Sequence, residues 1–277
     1  MNINGFKIRW INYACYEIVL PNGKVIVVDP CINYEKKEEF TPDNFTGADY
    51  ILLSHTHYDH TMDLGYLEKK YKSKVFVGSM SCLALLHYFD INFDRVYPVS
   101  PNEKFEMEDF TLEVFRSKHT FMNNEDNVMS KRRENFNGKF PIEHRYADIC
   151  GSIEYMDYLI TLKNNIRIFI SGGGPNKYFY NNIFQTMKDT APNIVIRQSS
   201  SKYTPEEFAQ TMDQFHPQLV LPLHQDGIER KTNMKIQDYV DRANAEFEKL
   251  NSSTRMLNPI KYKWYEISMN VTCLEDK

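Results

Sequence analysis

Three features that commonly reveal a protein's environment are missing from this 277-residue sequence. Its five cysteines are scattered and form no C-x-x-C pair, a usage that fits reduced thiols better than a disulfide framework. No apolar run approaches the roughly 20 residues that a membrane-spanning helix needs. The amino terminus, MNINGFKIRW, lacks the basic and apolar regions of a secretory signal. These absences predict a cytoplasmic protein with no membrane partner.

A strong charge of either sign is missing as well. The formal net charge is −4 at pH 7 and the sequence pI is about 6.1. A domain that binds long nucleic acid or an anionic membrane usually carries a basic surplus, and this chain has none. We therefore expect a small-molecule substrate and no long nucleic acid as partner.

Strand-like and helix-like patterns follow one another along the chain. The apolar segments CYEIVL and KVIVVD flank the hairpin signal Asn22-Gly23. Later segments alternate in type, and a capping box at Thr204-Pro205-Glu206-Glu207 predicts the start of a helix. No linker or repeat divides the sequence, so it predicts a single α/β domain over residues 1–277. Residues 120–150 are polar and aperiodic, which predicts an irregular, lid-like insertion.

The segment ILLSHTHYDH, residues 51–60, contains three of the eight histidines. His55 and His57 are two residues apart at the end of a strand-like run, so their side chains point the same way and can bind one metal ion together. Helical periodicity begins directly afterwards and turns Asp59 and His60 toward a neighbouring position. The spacing therefore predicts a metal centre with room for a second ion.

These four residues form an HxHxDH motif that resembles the motif of the metallo-β-lactamase superfamily. The opening strands, IRWINYACYEIVLPNGKVIVVDP, and the segments FRSKHT and LPLHQD extend the resemblance over most of the chain. It implies a metallo-β-lactamase-like αββα sandwich, with two mixed sheets flanked by helices. The opening segment and the length are most similar to the branch that contains ascorbate-6-phosphate lactonase.

The resemblance also implies roles for three further residues. His119 corresponds to the third histidine of the first metal position, and His224 to the last ligand of the second. Asp29, at the end of the opening strands, is expected to orient a ligand histidine rather than to bind the ion itself. The predicted ligand set is His55, His57, His119, Asp59, His60 and His224.

The chain departs from the family pattern at one position. The family carries a carboxylate that bridges both ions after a Gly-Asp strand end, and the corresponding segment here, IRIFISGGGPN, has Gly173 at that position. Three explanations stay open. Another carboxylate replaces the bridge (Asp226, Asp148, Glu125 or Asp126), one ion binds tightly and the second weakly, or an oxygen of the substrate joins the two ions.

The motif and the resemblance together imply a metal-dependent hydrolase that uses a metal-bound hydroxide on a small ester-, lactone-type or anionic substrate. Asp59 is then also the candidate catalytic residue that handles the water proton. Zn²⁺ is the expected cofactor, as one or two ions, and Mn²⁺ or Fe²⁺ fit the same ligands. The alternatives are a phosphodiesterase for a small nucleotide or phosphodiester, an iron-dependent oxygenase, or a non-catalytic metal-binding protein. Candidate substrate contacts are Tyr58, Arg132, Arg133, His144 and Arg197.

Overall fold

The computed structural model describes residues 2–32, 39–118, 142–172 and 181–270 of the chain. In these ranges the strands form two seven-stranded sheets. The first sheet has the order β14-β1-β2-β3-β4-β5-β6 and the second has the order β13-β12-β11-β10-β9-β8-β7. Each sheet combines antiparallel and parallel pairs, as predicted for two mixed sheets.

The first sheet begins antiparallel and continues parallel. Its strands are β1 (Asn2–Asn12), β2 (Cys15–Val19), β3 (Val25–Val28), β4 (Tyr50–Leu52), β5 (Lys74–Gly78), β6 (Val96–Val99) and β14 (Tyr265–Asn270). The predicted hairpin between β2 and β3 is confirmed, and Gly23 in its turn has a φ of +88°, which favours glycine. From β3 to β6 the strands are parallel, so their carboxyl ends share one edge.

The second sheet directs several strand ends toward the same edge. Its strands are β7 (Lys104–Glu106), β8 (Phe110–Arg116), β9 (Met156–Leu162), β10 (Arg167–Ser171), β11 (Ile194–Gln198), β12 (Leu219–Leu223) and β13 (Arg255–Met256). Strands β10 to β13 are parallel. Because β9 is antiparallel to both β8 and β10, β8 runs in the same direction as β10.

Helices cover the outer faces of both sheets. They are α1 (Tyr58–Thr61), α2 (Leu64–Tyr71), α3 (Ser79–Phe89), α4 (Ile142–Cys150), α5 (Asn181–Asp189), α6 (Pro205–Asp213), α7 (Asp226–Thr232) and α8 (Ile236–Lys249). Three buried clusters follow: one between the sheets, one under α2, α3 and α4, and one under α5, α6 and α8. This is the predicted αββα sandwich. None of the helices within the described ranges is long and apolar enough to cross a membrane.

The capping box at the start of α6 is confirmed. The Thr204 side chain accepts a hydrogen bond from the Glu207 amide at 3.2 Å, and the Glu207 carboxylate accepts one from the Thr204 amide at 3.0 Å. The expected buried stripe follows, because Phe208, Met212 and Phe215 are each 1% exposed. Local sequence therefore determined both the start of this helix and the face that it buries.

The prediction of an irregular segment over residues 120–150 was wrong for its last nine residues, which form α4. Ala147 and Cys150 lie one turn apart on the buried face of this helix, and both are small. Small buried residues among polar ones give a weak helical period, which explains why the sequence pattern was aperiodic. Residues 119–141 lie outside the described part of the chain, so the rest of the predicted insertion stays a prediction.

We predict that Phe169→Ala in β10 lowers the free energy of unfolding by about 3–5 kcal/mol, because a fully buried aromatic leaves a cavity. Phe169 is 0% exposed and packs against the rings of Phe115 and Phe215, with centroids 6.2 and 5.4 Å away. Denaturant unfolding measures the change. Phe93→Ala is the matched control, since Phe93 is 75% exposed and should cost less than about 0.5 kcal/mol. Equal losses in the two variants would contradict this packing.

Candidate metal centre

The histidines gather because consecutive strand ends meet at one edge. Asp29 follows β3, and His55 and His57 follow β4, which is parallel to β3. His224 follows β12 in the second sheet. Helix α1 begins at Tyr58, directly after His57, and it turns the next side chains of the motif toward the second position.

The first pair of ring nitrogens converges between the sheets. His55 Nε2 and His57 Nδ1 lie 3.1 Å apart, and both side chains are buried. Two ligands of a tetrahedral zinc, each at about 2.0–2.1 Å from the ion, lie about 3.3 Å from each other. The separation of these nitrogens is therefore close to the distance that a shared ion imposes.

A second group of donors lies beside the first. Ligand atoms of Asp59, His60 and His224 all lie within 4.8 Å of one another. The Nε2 atoms of His60 and His224 are 3.0 Å apart, and the rings of His55 and His60 are in contact at 3.8 Å between centroids. One carboxylate and two imidazoles are a donor set that Zn²⁺, Mn²⁺ and Fe²⁺ all accept. The chemistry of the residues fits a metal ion.

Asp29 assigns the tautomers of two of these histidines. Its Oδ2 accepts a hydrogen bond from the Ser54 hydroxyl at 2.6 Å and lies 2.9 Å from His60 Nδ1. Because the Ser54 proton is used in this bond, the Ser54 oxygen accepts the proton of His55 Nδ1, which is 3.0 Å away. Both His55 and His60 then carry their hydrogen on Nδ1 and turn a lone pair on Nε2 toward the candidate metal position.

The other two histidines have similar partners behind the ring. His57 turns Nδ1 inward, and its Nε2 lies 3.0 Å from the Ser152 hydroxyl. His224 turns Nε2 inward, and its Nδ1 lies 3.8 Å from Asp226 Oδ1. All four described histidines of the group therefore present one nitrogen to the centre and the other to an oxygen. This is the usual arrangement of metal-binding histidines.

Unusual backbone conformations occur at three positions around the centre. Tyr13, Asp29 and His224 have φ values of +45°, +44° and +49°, which non-glycine residues rarely adopt. The amide of His224 donates to the Tyr13 carbonyl at 3.0 Å, and the Ser54 amide donates to Asp29 Oδ1 at 2.7 Å. These bonds hold the strained segments in place, and such strain is concentrated at functional sites.

Two glycines allow backbone to approach the histidine segment closely. A Cβ added at Gly172, just after β10, would lie 2.5 Å from Ser54 Oγ and 3.1 Å from Asp29 Oδ2. A Cβ at Gly151 would lie 2.8 Å from the His57 amide nitrogen. Glycine at both positions therefore serves close packing around the motif.

Sequence reasoning missed Tyr155, which forms one wall of the centre. Its ring stacks on His55 with 3.9 Å between centroids, and its hydroxyl lies 3.4 Å from His57 Nδ1. Tyr155 and Ser152 are almost 100 positions from the histidines that they touch, with separations of 98 and 95 residues. No local pattern marks them; the fold alone brings them here.

Cysteine thiolates do not add to the donor set described so far. Burial raises the pKa of the Cys15 thiol well above its usual value, so this group stays protonated near neutral pH. Burial likewise raises the pKa of the Cys150 thiol in α4. A thiol must lose its proton to bind zinc strongly, so imidazole and carboxylate dominate the site.

Several predicted residues lie outside the described part of the chain. These are His119, Arg132, Arg133 and Gly173, together with the possible bridging residues Glu125 and Asp126, and the side chain of His144. Their predicted roles stay predictions. For His144 only the backbone is described, within α4.

The remaining predicted residues are divided between cleft and core. Tyr58 is half-buried at the start of α1, and its amide donates to Asp148 Oδ1 at 3.0 Å. Arg197 is 2% exposed and donates to the Ser171 hydroxyl at 2.5 Å, so it is held inside the sheet rather than at the rim. Asp226 lies on the Nδ1 side of His224, away from His60. Neither Asp148 nor Asp226 lies between the two groups of donor nitrogens.

A cleft of about 290 Å³ opens over the centre. His55, His57, Asp59, His60 and His224 line one end. The rest of its wall consists of Gln198, Ser199, Ser200, Ser201, Lys202, Asp226, Gly227, Arg230 and Lys231. A cleft of this size, at the lower end of the range for ligand pockets, suits a small molecule.

Comparison with known proteins gives one family and one fold. A family model described as a beta-lactamase superfamily domain matches residues 24–135. A UPF0173 metal-dependent hydrolase of Koribacter versatilis is 32% identical over 75 residues, which are 27% of this chain. The match spans about a third of that relative's own length, 32%.

Two solved structures share the fold over nearly the whole chain. Igni18, a metallo hydrolase from the archaeon Ignicoccus hospitalis, has a TM-score of 0.66 at 12% identity and covers 97% of this chain and 100% of its own. An isothiocyanate hydrolase from Delia radicum gut bacteria has a TM-score of 0.63 at 13% identity, with 95% and 99% covered. Together with the sequence matches, this shared architecture identifies the chain as a member of the metallo-β-lactamase superfamily.

Proposed function

We propose that this chain is a metal-dependent hydrolase of small ester- or lactone-type substrates. The observation that carries the proposal is the convergence of four imidazole nitrogens and one carboxylate at the base of a single cleft. A purely structural histidine cluster would not need every ring to turn one nitrogen inward and bind an oxygen with the other. The likeness to metal-dependent hydrolases in sequence supports the same conclusion.

His119 is the proposed third ligand of the first position. Strand β8 runs in the same direction as β10 and ends at Arg116, three residues before His119. The amide of Ser117 donates to the Tyr155 carbonyl at 2.9 Å, and Tyr155 stacks on His55. The chain is thus bound to the wall of the centre two residues before His119. Three histidines are a complete protein contribution to a catalytic zinc site.

A metal ion held there supplies a Lewis acid and a water molecule whose pKa falls toward about 7. The chain's own contribution is to position the reactants and the proton. Asp59 is half-buried at the cleft floor beside His60, where its carboxylate can accept a proton from a water molecule. Tyr155 and the buried rings exclude bulk water from one side, which strengthens the electrostatic effect of Asp59.

The described carboxylates support a centre without the family's bridging residue. Asp29 is engaged by Ser54 and His60, Asp148 by the Tyr58 amide, and Asp226 lies behind His224. Of the three explanations, these contacts favour a second ion held by Asp59, His60 and His224 alone, or an oxygen of the substrate between two ions. Zn²⁺ is the proposed cofactor. The proposed location is the cytoplasm, because the four described cysteines are free thiols.

We predict that protein purified without chelator contains zinc and opens esters or lactones, a reaction that releases protons near neutral pH. Asp59→Asn should lower kcat/KM by about 10²–10⁴-fold, because it removes the group that accepts the proton and one ligand of the second position. Elemental analysis gives the metal, and proton release against a panel of esters, lactones and small phosphodiesters gives the reaction.

The control variant is His87→Gln on α3, a half-exposed histidine that does not line the described cleft. It should keep both the metal content and the rate. Turnover of phosphodiesters only would favour the phosphodiesterase alternative, and iron with oxygen uptake would favour the oxygenase. A protein that binds no metal even after reconstitution would exclude the proposal.

We also predict that Asp29→Asn weakens metal binding by about 10–100-fold, as is typical when a partner of ligand histidines is lost. The amide would present hydrogens where His60 Nδ1 and the Ser54 hydroxyl now find an acceptor, and the tautomers would no longer be fixed. Competition with a chelating dye measures the affinity. Thermal unfolding of the metal-free protein separates this effect from a loss of folding.

Asp109→Asn is the matched control for this variant. Asp109 is also a hydrogen-bonded carboxylate, since it accepts from the Tyr50 hydroxyl at 2.6 Å, but it does not line the cleft. It should change stability without changing metal affinity. A folded Asp29→Asn protein with the affinity of the original chain would show that Asp29 has no part in holding the ligands.

A further inference from the structure

The charged residues of the cleft are separated by sign. The carboxylates of Asp59 and Asp226 lie at the histidine end, next to the candidate metal ligands. Three cations line the rest of the cleft: Lys202, Arg230 and Lys231. All three are exposed. A substrate that reaches the histidines therefore passes along, or rests against, a positively charged wall.

The fold places these cations beside the reaction centre by the same rule that places the histidines. Lys202 lies in the loop that follows β11, and β11 is parallel to β12, the strand that ends before His224. The Lys202 amide donates to the Ser200 side chain at 3.1 Å, which fixes the turn of this loop. Arg230 and Lys231 occupy the last turn of α7, the helix that begins two residues after His224.

Two of these cations are available for a ligand. Within the described residues, no carboxylate forms an ion pair with Lys202 or Lys231. Most other cations of the chain that have a nearby acid are paired with it, as in the contacts of Lys24 with Asp109 and of Lys70 with Asp43. Cations on one wall of a cleft, without acids to balance them, attract and orient anions.

The geometry points to an acidic group on the substrate, a carboxylate or a phosphate, that binds to Lys202, Arg230 and Lys231 while the bond to be hydrolysed lies at the histidine end. This rests on the proposed hydrolase function and adds the class of its substrate. Arginine can bind either anion through two parallel hydrogen bonds, and lysine binds both as a point charge. The hydroxyls of Ser200 and Ser201 line the same wall. The cleft volume of about 290 Å³ limits the substrate to a small molecule.

The test compares three phenyl esters of equal length whose far end is a neutral methyl ester, a carboxylate or a phosphate. The metal-loaded chain should hydrolyse at least one anionic ester with a kcat/KM about tenfold above that of the neutral ester, with the difference mainly in KM. Lys202→Gln and Arg230→Gln should each reduce this preference about five- to tenfold, the effect of one charged hydrogen bond. Added salt should reduce it as well. The carboxylate and phosphate esters distinguish the two sources of the anion.

Lys235→Gln is the matched control, because it removes the same charge from an exposed lysine that follows α7 and does not line the cleft. It should leave the preference unchanged. Binding of inorganic phosphate, measured by titration calorimetry, gives a second readout that does not depend on turnover. The double variant Lys202→Gln/Arg230→Gln should bind phosphate at least tenfold more weakly than the original chain.

The two hypotheses fail in different ways. If neutral and anionic esters react equally, or if the glutamine variants keep the preference, the acidic-group inference is overturned and the hydrolase proposal stands. If none of the esters reacts, the hydrolase proposal loses its support, and phosphate binding decides the inference. Weaker binding in the double variant then supports it, and equal binding overturns it.

Discussion

The contact of Asp29 with Ser54 and His60 is the interaction on which the candidate site depends. A single carboxylate takes the Ser54 proton and faces His60 Nδ1, so it orients His60 directly and His55 through Ser54. Those two rings belong to different predicted metal positions, and their centroids are only 3.8 Å apart. The buried carboxylate also satisfies the Ser54 amide at the end of β4. One group thus connects the strand end, the tautomers and both sets of ligands, and an acid is required because only an ionised acceptor can take all these hydrogens.

The sheets explain why the backbone around this carboxylate can be strained. Asp29, Tyr13 and His224 all adopt left-handed conformations directly after regular strands, where the chain must turn sharply to aim a side chain between the sheets. The cost of these turns is met by the buried apolar layer between the two sheets, which includes Tyr16, Leu52 and Tyr158. The Tyr158 hydroxyl donates to the Leu53 carbonyl at 2.7 Å, so the second sheet also holds the histidine segment from below. The rigid sandwich thereby positions a flexible class of side chain, and preorganised ligands bind metal more tightly than mobile ones.

Local signals in the sequence were sufficient for much of this architecture. The hairpin at Asn22-Gly23, the capping box at Thr204 and the HxHxDH spacing each depend on neighbours within a few residues, and the structure has each of those elements. Tyr155, Ser152, Arg230 and Lys231 were missed because their relation to the site comes from contacts between distant segments. Arg197 shows the opposite error: a basic residue after a strand suggests a pocket rim, yet its guanidinium is satisfied inside the sheet by Ser171. Position along a strand is readable from sequence, whereas the direction in which a long polar side chain leaves it depends on the packing.

The glycine at the family's bridging position and the cationic wall of the cleft have a common electrostatic consequence. A shared carboxylate would contribute one negative charge between two dications, so a centre without it carries one more positive charge than the family arrangement. Lys202, Arg230 and Lys231 add to that excess instead of balancing it. Two like charges about 4 Å apart in a partly buried site repel by several kcal/mol, and an anionic substrate is the component that relieves this repulsion on binding. In this view the missing carboxylate is a condition for selecting acidic substrates rather than a sign of lost function, because the charge that the chain omits is supplied by the molecule on which it acts.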